Sequence, residues 1–201
     1  VIAALYVETG GCYFGLDGVD PWDKVRDARL YDGPHPVVAH PPCGRWCQMA
    51  PVNQARYGQK IGDDGGCFES ALRSVRTFGG VLEHPAVSIA WPTFDLPRPP
   101  SHGWRRTFCG GWVAQIEQRH YGHPARKKTW LYAFGLVPPS LKWGAGATPK
   151  AWISSDRPRA ELAALGIRQL QRREAQATPH EFRDLLISIA RTATVSQRDA
   201  A

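Results

Sequence analysis

The chain has 201 residues, 43% of them hydrophobic and 21% charged, which fits one soluble globular domain and excludes a disordered or low-complexity chain. No apolar run approaches the length of a membrane span and none reads as a secretory leader, so a cytoplasmic protein with no membrane partner is expected. The 25 Lys and Arg against 18 Asp and Glu leave a net charge of +7. That balance suits a polyanion such as nucleic acid; the plainer reading is solubility alone.

Residues 1–7 read as a strand, left through the turn-forming Glu8-Thr9-Gly10-Gly11. Gly18 to Trp22 reads as a short second strand or turn, and Val37-Val38-Ala39 as a buried strand stopped by prolines. Residues 48–66, rich in Gln, Asn, Gly and Asp, read as a mobile loop. Phe68, Leu72, Val75 and Phe78 have helical spacing, and Gly79-Gly80 ends that helix. Val81-Leu82-Glu83 starts another strand, which His84-Pro85 is expected to break, and a proline-rich loop follows over 92–103. Trp112 to Arg119 fits a strand or a helix, and Thr129 to Phe134 a strand ended by Gly135. Residues 136–157 are loop-like, a helix is expected over 158–165, and Thr178-Pro-His-Glu181 reads as a capping box opening a last helix with Phe182, Leu185, Leu186 and Ile189 on one face. From Thr194 the tail is polar and expected to fray. Strands alternating with helices make this a single α/β sheet domain over 1–193, with a flexible tail over 194–201.

The loops that follow the strands carry the chemistry-bearing residues, and in open α/β sheets that edge is where sites form. Cys43 sits just past a strand end, as a nucleophile, a metal ligand or a buried structural thiol. Cys43 and Cys47, with His40 and Cys67, make at most half a metal site, because zinc ligands come in tighter pairs; no metal is expected. Five scattered cysteines argue for reduced thiols rather than a disulfide framework. Glu83 alone is a strand-end acid, the run Arg126-Lys127-Lys128 alone a solvated charge run, and Gly10-Gly11 alone a turn. Of the eight tryptophans most belong to the core, though those beside cations also suit stacking on bases.

Taken in order, these segments resemble the cytosine-C5 DNA methyltransferases, in the compact form common in bacteriophages. Tyr6-Val-Glu-Thr-Gly-Gly-Cys-Tyr-Phe-Gly-Leu16 resembles the first cofactor motif of that family, Asp-Leu-Phe-x-Gly-x-Gly-Gly followed by Gly-Leu. Asp20-Pro-Trp-Asp-Lys24 resembles its acidic-plus-Trp motif, and Arg26-Asp27-Ala28 stands where the family has Gly-Asp-Ile. Pro41-Pro42-Cys43 matches the catalytic Pro-Cys motif, and Leu82-Glu83-His84-Pro85 stands at Glu-Asn-Val. Tyr121-Gly122-His-Pro124-Ala-Arg126-Lys-Lys128 resembles Tyr-Gly-x-Pro-Gln-x-Arg-x-Arg, and Arg168-Gln-Leu170-Gln-Arg-Arg173-Glu174 resembles Arg-x-Leu-Thr-x-Arg-Glu. The last helix resembles the closing motif.

The resemblance implies a reduced Rossmann-like, S-adenosylmethionine-dependent methyltransferase sheet flanked by helices. It implies that Cys43 attacks C6 of cytosine, turning C5 into a nucleophile, with Arg45 favouring the thiolate. Glu83, with a raised pKa, would protonate N3, and Arg126 and Lys128 would hold the base or a phosphate; a one-residue shift of register puts Lys127 in place of Lys128. S-adenosylmethionine would lie against Tyr6, Glu8, Thr9, Gly10, Gly11, Asp20, Trp22, Asp27 and Pro42. DNA would contact Arg45, Trp46, Arg119, Lys127, Lys142 and Trp143, with the target base flipped from the stack. Only eight residues separate Gly11 from Asp20, so a homodimer or a protein partner that completes the cofactor site, or a different one-carbon donor giving a hydroxymethyl group, belongs to the expectation. About thirty residues, 136–167, stand where the family has its target-recognition domain, which implies low sequence specificity. Two other readings are a catalytically silent DNA-binding module and action on a free pyrimidine nucleotide.

Overall fold

A computed structural model describes residues 1–153, 159–164 and 166–194. The main sheet has seven strands: β1 (Ile2–Leu5), β2 (Val19–Trp22), β3 (Val37–Ala39), β4 (Gly80–Pro85), β5 (Trp104–Arg106), β6 (Trp112–Glu117) and β7 (Lys128–Phe134). Their spatial order is β2-β1-β3-β4-β7-β6-β5. The first four are parallel, and β7 runs against both β4 and β6. The chain leaves β1 for β2 on one side and returns to β3 on the other, so a topological switch point lies at the carboxyl ends of β1 and β3. Reversal of β7 brings its first residues to that same edge, where the amide of Ala86 donates to the carbonyl of Lys128.

Alternation along the strands builds two cores. Ala3, Leu5, Val37, Ala39, Leu82, Trp130 and Tyr132 face one layer, packed under Phe68, Leu72 and Val75 of α2 (Cys67–Phe78). Ile2, Ala4, Val38, Val81 and Leu131 face the other, packed under Phe182, Leu186 and Ile189 of the C-terminal helix His180–Arg191. Burying each of these large side chains stabilises the fold by about 1.5–3 kcal/mol. The result is an α/β domain with a mixed sheet covered by helices. Gly80 sits where β4 meets β3: its φ is +119° and a Cβ there would lie 2.0 Å from the Val37 carbonyl oxygen, so no other residue fits.

Several expectations change. Within 48–66 the structure forms α1 (Ala50–Tyr57), because Pro51 starts it and Gly58, at φ 64°, ends it. The strand at Val81 continues through His84-Pro85, held by pairing to β7, and Trp112–Glu117 resolves as strand for the same reason. The short helix α3 (Ala90–Thr93) precedes the proline-rich loop. Pro179, not Thr178, caps the last helix and no side chain caps it; the reciprocal capping box is instead Gln171 with Glu174 on α5 (Arg172–Gln176). The stretch 136–167 holds β8 (Ala151–Trp152) and α4 (Arg159–Ala164); β8 pairs with β9 (Arg168–Gln169). The last helix is therefore α6. Residues 195–201 of the expected tail lie outside the described residues, while the Thr194 amide donates to Gly135.

Candidate active site at the carboxyl edge of the sheet

Cys43, Glu83 and Lys127 converge where β3 and β4 end and β7 begins. Pro41 and Pro42 end β3, and the chain then coils so that the amides of Trp46 and Cys47 both donate to the Cys43 carbonyl, at 3.0 and 2.9 Å. This turn leaves the Cys43 side chain half-buried beside the sheet edge. Burial pushes its thiol up to about 11, Cys47 and Glu83 push the same way, and Lys127 opposes them. The cation that favours the thiolate is therefore Lys127 rather than the expected Arg45, whose Nη1 is buried without a hydrogen-bond partner among the described residues.

Glu83 is reached from two sides. His40 Nδ1 lies 3.0 Å from Oε2, and Gln118 Nε2 donates to Oε1 at 3.2 Å. Burial would push the carboxyl up; the His40 hydrogen bond and charge, then Lys127 and His84, outweigh it and hold Glu83 below the usual range. The raised value expected of a resident acid is absent because its neighbours all favour the anion. Burial lowers Lys127 in turn, opposed by Glu83 and Cys43. Lys127 Nζ also lies 3.4 Å from the Gln176 carbonyl, at the end of α5.

Of the basic run, the site takes Lys127. Lys128 is exposed as the first residue of β7, paired with Glu117, and Arg126 is exposed beside the site. Lys127, just before β7, shares the field of Cys43 and Glu83, whereas Lys128 opens the strand with an exposed side chain. The sequence does not mark His40, Tyr13 or Gln118 as catalytic residues. Gln118 carries no periodic signal, and His40 stood out only as a weak metal ligand.

Most of the residues expected to hold a donor are bound within the protein. Glu8-Thr9-Gly10-Gly11 forms a tight turn in which the Gly11 amide donates to Glu8 at 2.8 Å, with Gly10 at φ 67°. Tyr6, at φ 60°, turns the chain out of β1, and burial pushes its phenol up to about 12. Asp20 pairs with Ala3 in the sheet, two residues short of the edge that Trp22 reaches, so it does not lie at the expected ribose position. Its carboxylate accepts from Trp22 Nε1 at 2.7 Å and from Arg26, whose guanidinium covers the Trp22 ring at 4.0 Å. Asp27 accepts from Arg29. At the edge itself stands Asp23, buried, accepting from Thr9 Oγ1 at 2.6 Å and from two backbone amides. Asp20, Asp23 and Asp27 are bound internally and the Arg26 guanidinium covers one face of the Trp22 indole, while Glu8 is exposed with Arg173 3.7 Å away. Asp20, Asp27 and Trp22 do not fit S-adenosylmethionine in this arrangement.

Comparison of the chain with protein-family models, curated proteins and solved structures finds no match.

The expected DNA contacts divide. Trp46 is 5% exposed, donates to Asp64 at 2.8 Å and packs on Phe68 and Phe94; it is core, because the Cys43 turn folds it under the sheet. Trp143 is half-buried against Trp104 and His102. Lys142 is exposed beside Tyr121, its amide held by the Tyr121 hydroxyl at 2.9 Å. Arg119 binds the carbonyls of His123 and Thr148, fastening the 136–150 segment to the Gln118–Tyr121 turn. Among the described residues no group of His, Cys, Asp and Glu has metal-site geometry, and no helix is long and apolar enough to cross a membrane.

Proposed function

We propose that the protein modifies C5 of cytosine in DNA by adding the Cys43 sulfur to C6. The observation that carries this reading is the convergence of Cys43, Glu83 and Lys127 at the switch-point edge, three residues far apart in sequence, drawn from the loop after β3, from β4 and from the approach to β7. A thiol, a carboxyl and a buried cation within one field are what such an addition requires. The sulfur bonds C6, N3 takes a proton through Glu83, and the charge that develops is countered by Lys127. The net charge of +7 supports a polyanionic substrate over a free nucleotide.

The expected reaction is transfer of one carbon to C5. Asp20 is bound by Trp22 and Arg26 and Asp27 by Arg29, so neither carboxylate is free to hold S-adenosylmethionine. To test the reading, cytosine-containing DNA is incubated in D2O without a donor and C5 hydrogen exchange is read by mass spectrometry of the nucleosides. Addition to C6 makes C5 exchange; Cys43→Ser must abolish it. Exchange that survives in Cys43→Ser overturns the mechanism. Supplying S-adenosylmethionine or a folate-type one-carbon donor in parallel identifies what appears on C5.

A further inference from the structure

A buried chain of hydrogen bonds runs behind Glu83. The Tyr13 hydroxyl lies 2.8 Å from His40 Nε2, and His40 Nδ1 lies 3.0 Å from Glu83 Oε2. Gln118 Nε2 donates to Glu83 Oε1 and, at 2.9 Å, to Thr129 Oγ1. Tyr13 is 2% exposed and Thr129 is fully buried, so both ends of the chain are shielded from water. The Gln118 amide nitrogen only donates, so Oε1 is an acceptor and a proton on Glu83 belongs on Oε2, facing His40. Among the described residues His40 is the one titratable group hydrogen-bonded to Glu83. The groups around the pair are Tyr13, Cys43, His84 and Lys127, with Cys12, Arg183 and Asp184 beyond Tyr13.

We propose that His40 is the proton partner of Glu83, a positioning residue that shares one proton with it along the Nδ1–Oε2 line. This rests on the reading of Cys43 as the nucleophile at C6. Glu83 is held as a carboxylate, so it needs a proton source within reach, and Tyr13 holds the His40 ring in line. As sulfur bonds C6, the C5=C6 pair moves to C4=C5 and the C4=N3 pair moves onto N3. N3 takes a proton from the pair, and the proton given up by the Cys43 thiol returns to it. Atoms balance with no further reactant, and the pair ends as it began.

Two measurements on the full chain test this. In the C5 exchange assay, His40→Asn lowers the rate about tenfold at pH 7.5, and the deficit shrinks as pH falls, because solvent then protonates Glu83 directly. Tyr13→Phe gives a smaller deficit with the same trend. A deficit equal at every pH, in variants whose thermal melts match the parent, shows a structural role only and overturns the proposal. Independently of any reaction, NMR of 15N-histidine labelled protein at one fixed pH reads the proton on the line from His40 Nδ1 to Glu83 Oε2. A downfield, solvent-protected Nδ1–H resonance is expected, moved upfield by Glu83→Gln. Its absence, or a resonance that Glu83→Gln leaves in place, overturns the pair whatever the assay gives. Such a resonance in a protein with no exchange at any pH upholds the pair and rejects the cysteine addition.

Discussion

The Arg26 guanidinium lies over the Trp22 ring, 4.0 Å from its centroid, while binding the Asp20 carboxylate beside it. Cation, ring and acid close the surface on which an adenosine would stack. Removing the guanidinium therefore opens it. Arg26→Ala is expected to tighten S-adenosylmethionine binding by about tenfold, equivalent to about 1.4 kcal/mol, read by calorimetry. Unchanged affinity would show that Arg26 does not obstruct the donor.

Lys127 and Lys128 are adjacent, and only Lys127 shares the field of Cys43 and Glu83. Lys127→Met is expected to lower C5 exchange by about a hundredfold, as loss of a buried charge-stabilising donor does. Lys128→Met stays within about twofold of the parent, since that side chain is exposed. Equal losses at the two positions would contradict the assignment.

Cys43 has its thiol pushed up to about 11 by burial. Alkylation by iodoacetamide, followed by peptide mass spectrometry, is expected to accelerate steadily from neutral pH toward 11, because the thiolate reacts. Lys127→Met moves the profile further to alkaline pH. A plateau near pH 7 would mean that the thiol ionises far more readily than its surroundings allow.

His84 is fully buried, stacked on Trp91 and edge-on to Phe68, and burial lowers it from 6.5 to about 4. The unfolded chain takes up a proton near 6.5 that the folded protein refuses until about 4. Stability is thus retained above pH 6.5 and lost as pH falls through this window, by roughly 3 kcal/mol in all. Urea melts between pH 7 and 4 are expected to show this slope in the parent and about one proton less of it in His84→Phe. An unchanged slope would assign the acid sensitivity elsewhere.

Trp46→Ala is expected to cost about 3–5 kcal/mol of stability, read by denaturant unfolding, because it empties a core site. Its DNA affinity, measured under conditions where it remains folded, should match the parent. A selective loss of DNA binding would restore the surface role that its neighbour Arg45 suggested.

Residues 1–7, the Val37–Ala39 strand and the proline stop before Cys43 were legible in the sequence, because strand alternation and proline chemistry act over a few residues. So were the strand that carries Glu83, which runs on to Pro85 rather than ending at the acid, and the apolar faces of α2 and α6. A chain can announce a strand, its exit and its buried face by local rules alone, and the cysteine inherits its edge from those rules.

What surrounds them is decided by pairing between distant segments. Insertion of β7 against β4 selects Lys127 over Lys128, and the same pairing carries a strand through His84-Pro85, where local signals predict a break. His40 and Glu83 are 43 positions apart, and Gln118 and Glu83 are 35 apart, so no periodicity links them. Asp20 stands at the ribose position in the motif, whereas the register of β2 on β1 sets it two residues below the edge. The sequence by itself determined the α/β class and set Cys43 just past the end of a strand. The tertiary structure alone decided which cation, histidine and amide surround them, because hydrogen-bond partners and local fields depend on sheet register and burial, which arise only once the strands have paired.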